Sequence, residues 1–94
     1  MNDEKLQTFK SLTFGTELEY ENITRRKMAE AIQSVVGGRI DYQGGPHDTI
    51  AVIDAEGRAW KAMSDGSLRG GAEFVTPILK WENIELLQAV IRAI

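Results

Sequence analysis

The chain has 94 residues, 43% of them hydrophobic and 27% charged, with a formal net charge of −3 at pH 7. That length allows one domain, residues 1–94, around one modest core, since a chain of this size buries only about 60–65% of its unfolded surface. The lack of cysteine excludes a disulfide framework and a thiolate metal site, the mild negative charge argues against direct nucleic-acid binding, and with neither a membrane-length apolar run nor a signal peptide in MNDEKLQTFK the expected location is the cytoplasm.

Met1–Lys10 is polar and is expected to be frayed or loosely helical. Leu12–Glu21 reads as one strand with two unlike faces, because residues two apart share a side. Leu12, Phe14, Leu18 and Tyr20, with Thr16 as a weak member, form the expected core face. Thr13, Gly15, Glu17, Glu19 and Glu21 form the other. Thr24–Val36 is predicted as a helix, capped by Asn22 or Thr24 and striped by Met28, Ile32, Val35 and Val36, with Gly37–Gly38 ending it. Arg25, Arg26 and Lys27 near its start oppose the helix dipole. They are expected to be solvated, or paired with Glu21 and Glu30, and the competing reading is an anion-binding edge.

Arg39–Gln43 reads as a short edge strand and Gln43–Asp48 as a loop. Thr49–Asp54 and Arg58–Ser64 are predicted strands joined by a turn over Asp54-Ala55-Glu56-Gly57, with Gly57 at a position needing positive φ. Asp65-Gly66-Ser67 makes a further turn, and Arg69-Gly70-Gly71 a flexible continuation. Ala72–Thr76 is a strand stopped by Pro77. Trp81–Ile94 is a second helix, striped by Ile84, Leu87, Val90, Ile91 and Ile94. Trp60 and Trp81 are expected as core or interface anchors. The order predicts an α+β domain: a mostly antiparallel sheet of four to five strands with two helices packed on one face.

The opposite face is where chemistry is expected. Glu17 and Glu19 come from the first strand, Glu73 from the last with parity opposite to Phe74, Asp65 from a hairpin tip and His47 from the glycine-proline loop. Like charges about 7 Å apart along a strand repel unless water or a cation lies among them, so the acidic strand is either a solvated surface or a cation site. Carboxylates suit Mg²⁺, Mn²⁺ or Ca²⁺, and His47 would add Zn²⁺ to the candidates. Lys61 or Arg69 could instead pair with Glu73. Gly15, beside the carboxylates, would let a ligand approach the backbone.

Three stretches resemble the amidoligase family of carboxylate–amine ligases, related to glutamine synthetase and glutamate–cysteine ligase. They are Phe14-Gly15-Thr16-Glu17-Leu18-Glu19, then Trp60 through Asp65-Gly66-Ser67-Leu68, then Glu73-Phe74-Val75-Thr76-Pro77. They occur in the family's order over Leu12–Ile94, and the chain is expected to hold the first half of a longer family pattern. The resemblance implies Glu17, Glu19 and Glu73 as metal ligands, with Asp65 and Ser67 near substrate or metal. Lys61, Arg69 and Arg39 are the positive groups near the site for a transferred phosphoryl.

Two functional expectations follow. The first is a small metal-binding, amidoligase-derived module that assigns no catalytic residue and acts by binding another protein, as a phage or mobile-element inhibitor such as an anti-CRISPR protein does. The second is an ATP-dependent amidoligase, active as an oligomer or as part of a longer chain, with Lys61, Arg69 and Ser67 toward the nucleotide. Both expect a divalent metal ion, Mg²⁺ or Mn²⁺ by resemblance and Zn²⁺ if His47 takes part. A protein partner and a homodimer are expected, and no membrane.

Overall fold

Alternating apolar residues in the middle of the chain build a sheet, one helix covers one side of it, and a second helix packs on the first. The computed structural model describes Asp3 and residues 12–64 and 70–94. The elements are β1 (Thr13–Phe14), β2 (Glu17–Tyr20), α1 (Arg25–Val36), β3 (Arg39–Gly44), β4 (Thr49–Ile53), β5 (Ala59–Met63), β6 (Ala72–Val75), β7 (Leu79–Lys80), a 3-10 turn (Trp81–Asn83) and α2 (Ile84–Ala93). The main sheet is antiparallel throughout, in the order β2-β6-β5-β4-β3, and β1 pairs with β7 in a small second sheet. This is the expected α+β fold. No helix among the described residues is long and apolar enough to cross a membrane. Apart from Asp3, the expectations for Met1–Lys10 and for the Asp65-Gly66-Ser67 turn fall outside the described residues.

The core lies between the sheet and α1. Phe74, Ala72, Trp60, Ala62, Ile50 and Val52 point to this side and meet Met28, Ala29 and Ile32 of α1. Helix α2 packs chiefly on α1, contributing Leu87 and Val90. The expected caps form on α1: the Thr24 hydroxyl accepts from the Lys27 N–H at 3.1 Å, and Gly37, at φ 71°, donates to the Gln33 carbonyl. Of the basic residues in its first turn, Arg26 pairs with Glu30 at 3.4 Å as expected. Arg25 does not turn to Glu21. It reaches the β3–β4 loop and donates to the carbonyl of Asp48, whose carboxylate stands 3.9 Å away.

The first strand is not continuous. It breaks at Gly15–Thr16, because the strand opposite contains Pro77, which has no N–H to continue a ladder. Thr76 N–H still donates to the Thr16 carbonyl at 3.0 Å, while the Thr16 N–H donates to the Thr76 hydroxyl at 2.9 Å. The next pair is Phe14 with Leu79, so Gly15 faces both Pro77 and Ile78, an extra residue that bends the pair as a β-bulge does. The expected parity survives the break, with Phe14, Thr16, Leu18 and Tyr20 half-buried and Glu17 and Glu19 exposed. Leu12 does not join the core. It lies beyond the bulge on the small sheet's side and is 55% exposed.

The carboxyl-terminal helix also differs from its expectation. Trp81–Asn83 forms a 3-10 turn, and the Lys80 N–H donates to the Asn83 side-chain oxygen at 2.9 Å. Leu87 and Val90 are buried and Ile84 and Ile94 half-buried, while Ile91 is exposed. Trp81 is 43% exposed and is not a core residue.

Trp60 is fully buried, as expected, with its ring parallel to Phe74 at 6.2 Å between centroids. The turn before it also carries a polar network. Asp54 Oδ1 accepts from the N–H groups of Glu56 and Arg58, each at 2.9 Å, and Oδ2 accepts from Arg58 Nε at 2.7 Å and Trp60 Nε1 at 2.8 Å. Gly57 takes the expected positive φ, 80°. Gly71 is not a loose connection. A Cβ there would stand 2.2 Å from the Tyr20 carbonyl oxygen, so only glycine lets β2 and the start of β6 approach this closely.

Candidate functional site

The sheet face away from the helices carries the predicted carboxylates. The register sets Glu19 directly opposite Glu73, and Glu17 opposite Val75. Residues so paired have Cβ atoms about 4.5–5.5 Å apart, and like charges there repel. Glu17 stands one side chain further along the same face of β2, about 7 Å from Glu19. Strand pairing, not chain proximity, therefore sets Glu73 against Glu19, with Glu17 on the same face, and the three do not close into a cluster that could hold an ion. Glu17 and Glu19 are exposed and Glu73 is half-buried. Among the described residues β2 is an edge strand, and no described strand flanks the outer side of this acidic corner.

The bulge shapes the ground beside it. Gly15, Thr16, Glu17, Val75 and Thr76 line an open groove of about 460 Å³. A Cβ on Gly15 would meet Ile78, Thr76 and Pro77 only at ordinary contact distances of 3.7–3.9 Å. Packing does not require a glycine here, in contrast to Gly71.

The positive candidates are spread out. Lys61, half-buried, faces Val75 from β5 and so sits diagonally from Glu73 on the same face. It makes no ion pair among the described residues. Its strand is two spacings from that of Glu17, about 10 Å. Arg39 is on β3, at the far edge of the sheet, too distant to serve the glutamates. Asp65, Ser67 and Arg69 lie outside the described residues.

His47 sits in the exposed β3–β4 loop, held to the residue that follows β5. Its Nδ1 lies 3.1 Å from the Ser64 carbonyl, and the Ser64 N–H donates to the His47 carbonyl at 2.7 Å. An Nδ1–H donated to that carbonyl leaves Nε2 with its lone pair outward, the arrangement metal-bound histidines share. Among the described residues, however, no three carboxylate or imidazole groups stand close enough together to hold an ion by themselves.

Sequence reasoning treated Thr76 only as the end of a strand. The structure makes its hydroxyl the acceptor for Thr16, which fixes where the Glu17 strand leaves the small sheet. The signal was available: a threonine before a proline has a side-chain acceptor where the ladder must fail.

A family model described as "putative amidoligase enzyme" matches residues 10–94. No curated protein and no solved structure matches the chain.

Proposed function

The chain belongs to the family described as putative amidoligase enzymes, and from that premise we propose that its open sheet face serves an ATP-dependent joining of a carboxylate to an amine, with a divalent cation held at Glu19 and Glu73. The observation that carries this reading is the direct opposition of those two glutamates across β2 and β6, with Glu17 beside them. Two carboxylates brought this close gain from a cation between them. The donor set suits Mg²⁺ or Mn²⁺, which take one or two carboxylates and fill their remaining positions with water or substrate oxygens. It suits Zn²⁺ less, because His47 joins no cluster of ligands among the described residues.

When bound, such a cation would offset the negative charge of a nucleotide's phosphates. The chain's own residues supply the setting. Glu19 and Glu73 hold, and Glu17 flanks. Lys61 presents positive charge from the next strand, and the groove at Gly15 leaves room for a substrate to lie along the backbone.

Elemental analysis of the purified protein, before and after chelation, tests the reading, together with thermal melts in added Mg²⁺ or Mn²⁺. Bound ion and a raised Tm are expected for the native protein, and loss of both for Glu19→Gln/Glu73→Gln. An ATPase signal that rises with added carboxylate and amine would extend the result to ligation. A melt unmoved by either ion would leave the glutamates as a solvated surface.

A second reading keeps the cation site but has the domain work by binding another protein. It is favoured by Leu12 and Ile78, 55% and 69% exposed near the bulge. Pull-down with native protein and with Leu12→Ser/Ile78→Ser would separate it from the first.

A further inference from the structure

β3 closes the sheet at the end opposite the glutamates, and no described strand pairs with its outer side. Backbone groups on such an edge are a template for another strand. We propose that this edge pairs antiparallel with the same edge of a second copy, about a two-fold axis through Ile40, joining the two five-stranded sheets into one.

Charge and size select that register. Residues directly opposite across an antiparallel pair share a face, so with the axis perpendicular to the sheet only residues of the same parity can meet. With Ile40 on the axis, Arg39 of each copy stands opposite Asp41 of the other. Ile40 meets Ile40 on the helix side, and the regular pairing is confined to Arg39–Asp41, because Gly38, at φ 76°, lies outside the extended strand. Moving the axis to Asp41 would set Asp41 against Asp41, and moving it to Arg39 would set Arg39 against Arg39. Only the Ile40 register avoids a like-charge pair at its centre while matching opposite charges twice.

The single copy leaves these groups ready. Arg39 is exposed and Asp41 half-buried; neither has an ion pair among the described residues, and the Asp41 carboxylate accepts from the Gln43 amide at 3.3 Å. Tyr42 is 64% exposed although it points to the helix side. The register irregularity between Tyr42 and Gly44 ends the regular edge just beyond the proposed pairing. Helix α1 lies mainly over β4 and β5, so across the axis the two copies of α1 would be roughly 20 Å apart at a strand spacing of about 4.8 Å. Packed helices come to about 8–10 Å, so they do not collide. The contact is small, and its dissociation constant is expected on the order of tens to hundreds of micromolar.

Sedimentation of the full chain from about 10 µM to about 1 mM brackets that range. The mass is expected to rise from 10.5 kDa toward twice that value. Arg39→Asp and Asp41→Arg should each weaken association at least tenfold. An equimolar mixture of the two variants should associate again, because each then offers the charges the other lacks. Recovery on mixing also excludes misfolding as the cause of either loss. A native chain that stays monomeric throughout, or a dimer unchanged by Arg39→Asp, would overturn the proposal.

Discussion

The indole N–H of Trp60 donates to Asp54 across 2.8 Å, joining the largest buried ring to a carboxylate whose side chain is 3% exposed. Asp54 also accepts from Arg58 and two backbone N–H groups, so Asp54→Ala would strand four donors. The expected cost is about 3–5 kcal/mol, a large part of a small domain's stability. Asp54→Asn keeps one acceptor oxygen and should cost less, about 1–3 kcal/mol. Urea unfolding reads both as a lower midpoint at an unchanged slope.

The same carboxylate sets an acid limit. Burial pushes Asp54 up, but hydrogen bonds from the Trp60 indole and from the backbone and guanidinium of Arg58, with the charge of Arg58, outweigh it and hold the group below its ordinary value. A carboxyl lowered by folding stabilises above its unfolded value, about 4, and that contribution is lost as pH falls through the folded value. Tm of the native protein is therefore expected to fall on acidification below about pH 4 more steeply than that of Asp54→Asn. At the other end, burial raises the Tyr20 phenol. Its contribution is present below about pH 10 and is lost as pH rises through the folded value. Tyr20→Phe should flatten that alkaline limb.

Glu19→Gln is expected to act with opposite signs in two buffers. With chelator present it removes one of two opposed carboxylates and should leave Tm equal or slightly higher. With millimolar Mg²⁺ or Mn²⁺ the native protein should gain stability by mass action and the variant should not, so the order of the two melts reverses.

Two glycines should respond differently to one methyl group. Gly71→Ala forces a Cβ to 2.2 Å from the Tyr20 carbonyl oxygen and should destabilise by about 1–3 kcal/mol through displacement of β2 from β6. Gly15→Ala meets only ordinary contacts and should leave the melt nearly unchanged. If the groove beside Glu17 receives substrate, a larger residue at position 15 should weaken ligand binding while the fold persists.

Parity made most of the sheet legible in the sequence. Glu17 and Glu19 against Leu18 and Tyr20, and Glu73 against Phe74, each name a face, and the structure keeps every one of these assignments. The caps at Thr24 and Gly37 and the turn at Gly57 were equally local and equally readable. What periodicity could not give is which strands become neighbours, so the opposition of Glu19 and Glu73 appears only with the register. It also missed effects that act across the chain. Pro77 breaks the strand at Gly15, the Lys80 N–H bond to Asn83 starts the last helix with a 3-10 turn, and Gly71 is fixed by the Tyr20 carbonyl. The Asp54 network had a local signature after all: an acid at the start of a turn, followed by Arg58 and Trp60 on the returning strand.

That network lies within a single hairpin. Asp54 and Trp60 are six positions apart, whereas Thr16 and Thr76, which join the first strand to the rest, are sixty apart. Closing a short loop loses less chain entropy than closing a long one, so the β4–β5 hairpin can form while the ends of the chain are still apart. Changes at Asp54 should then slow refolding, and changes at Thr76 should speed unfolding. The acidic face, built on the strand that arrives last, would be assembled only at the end of folding.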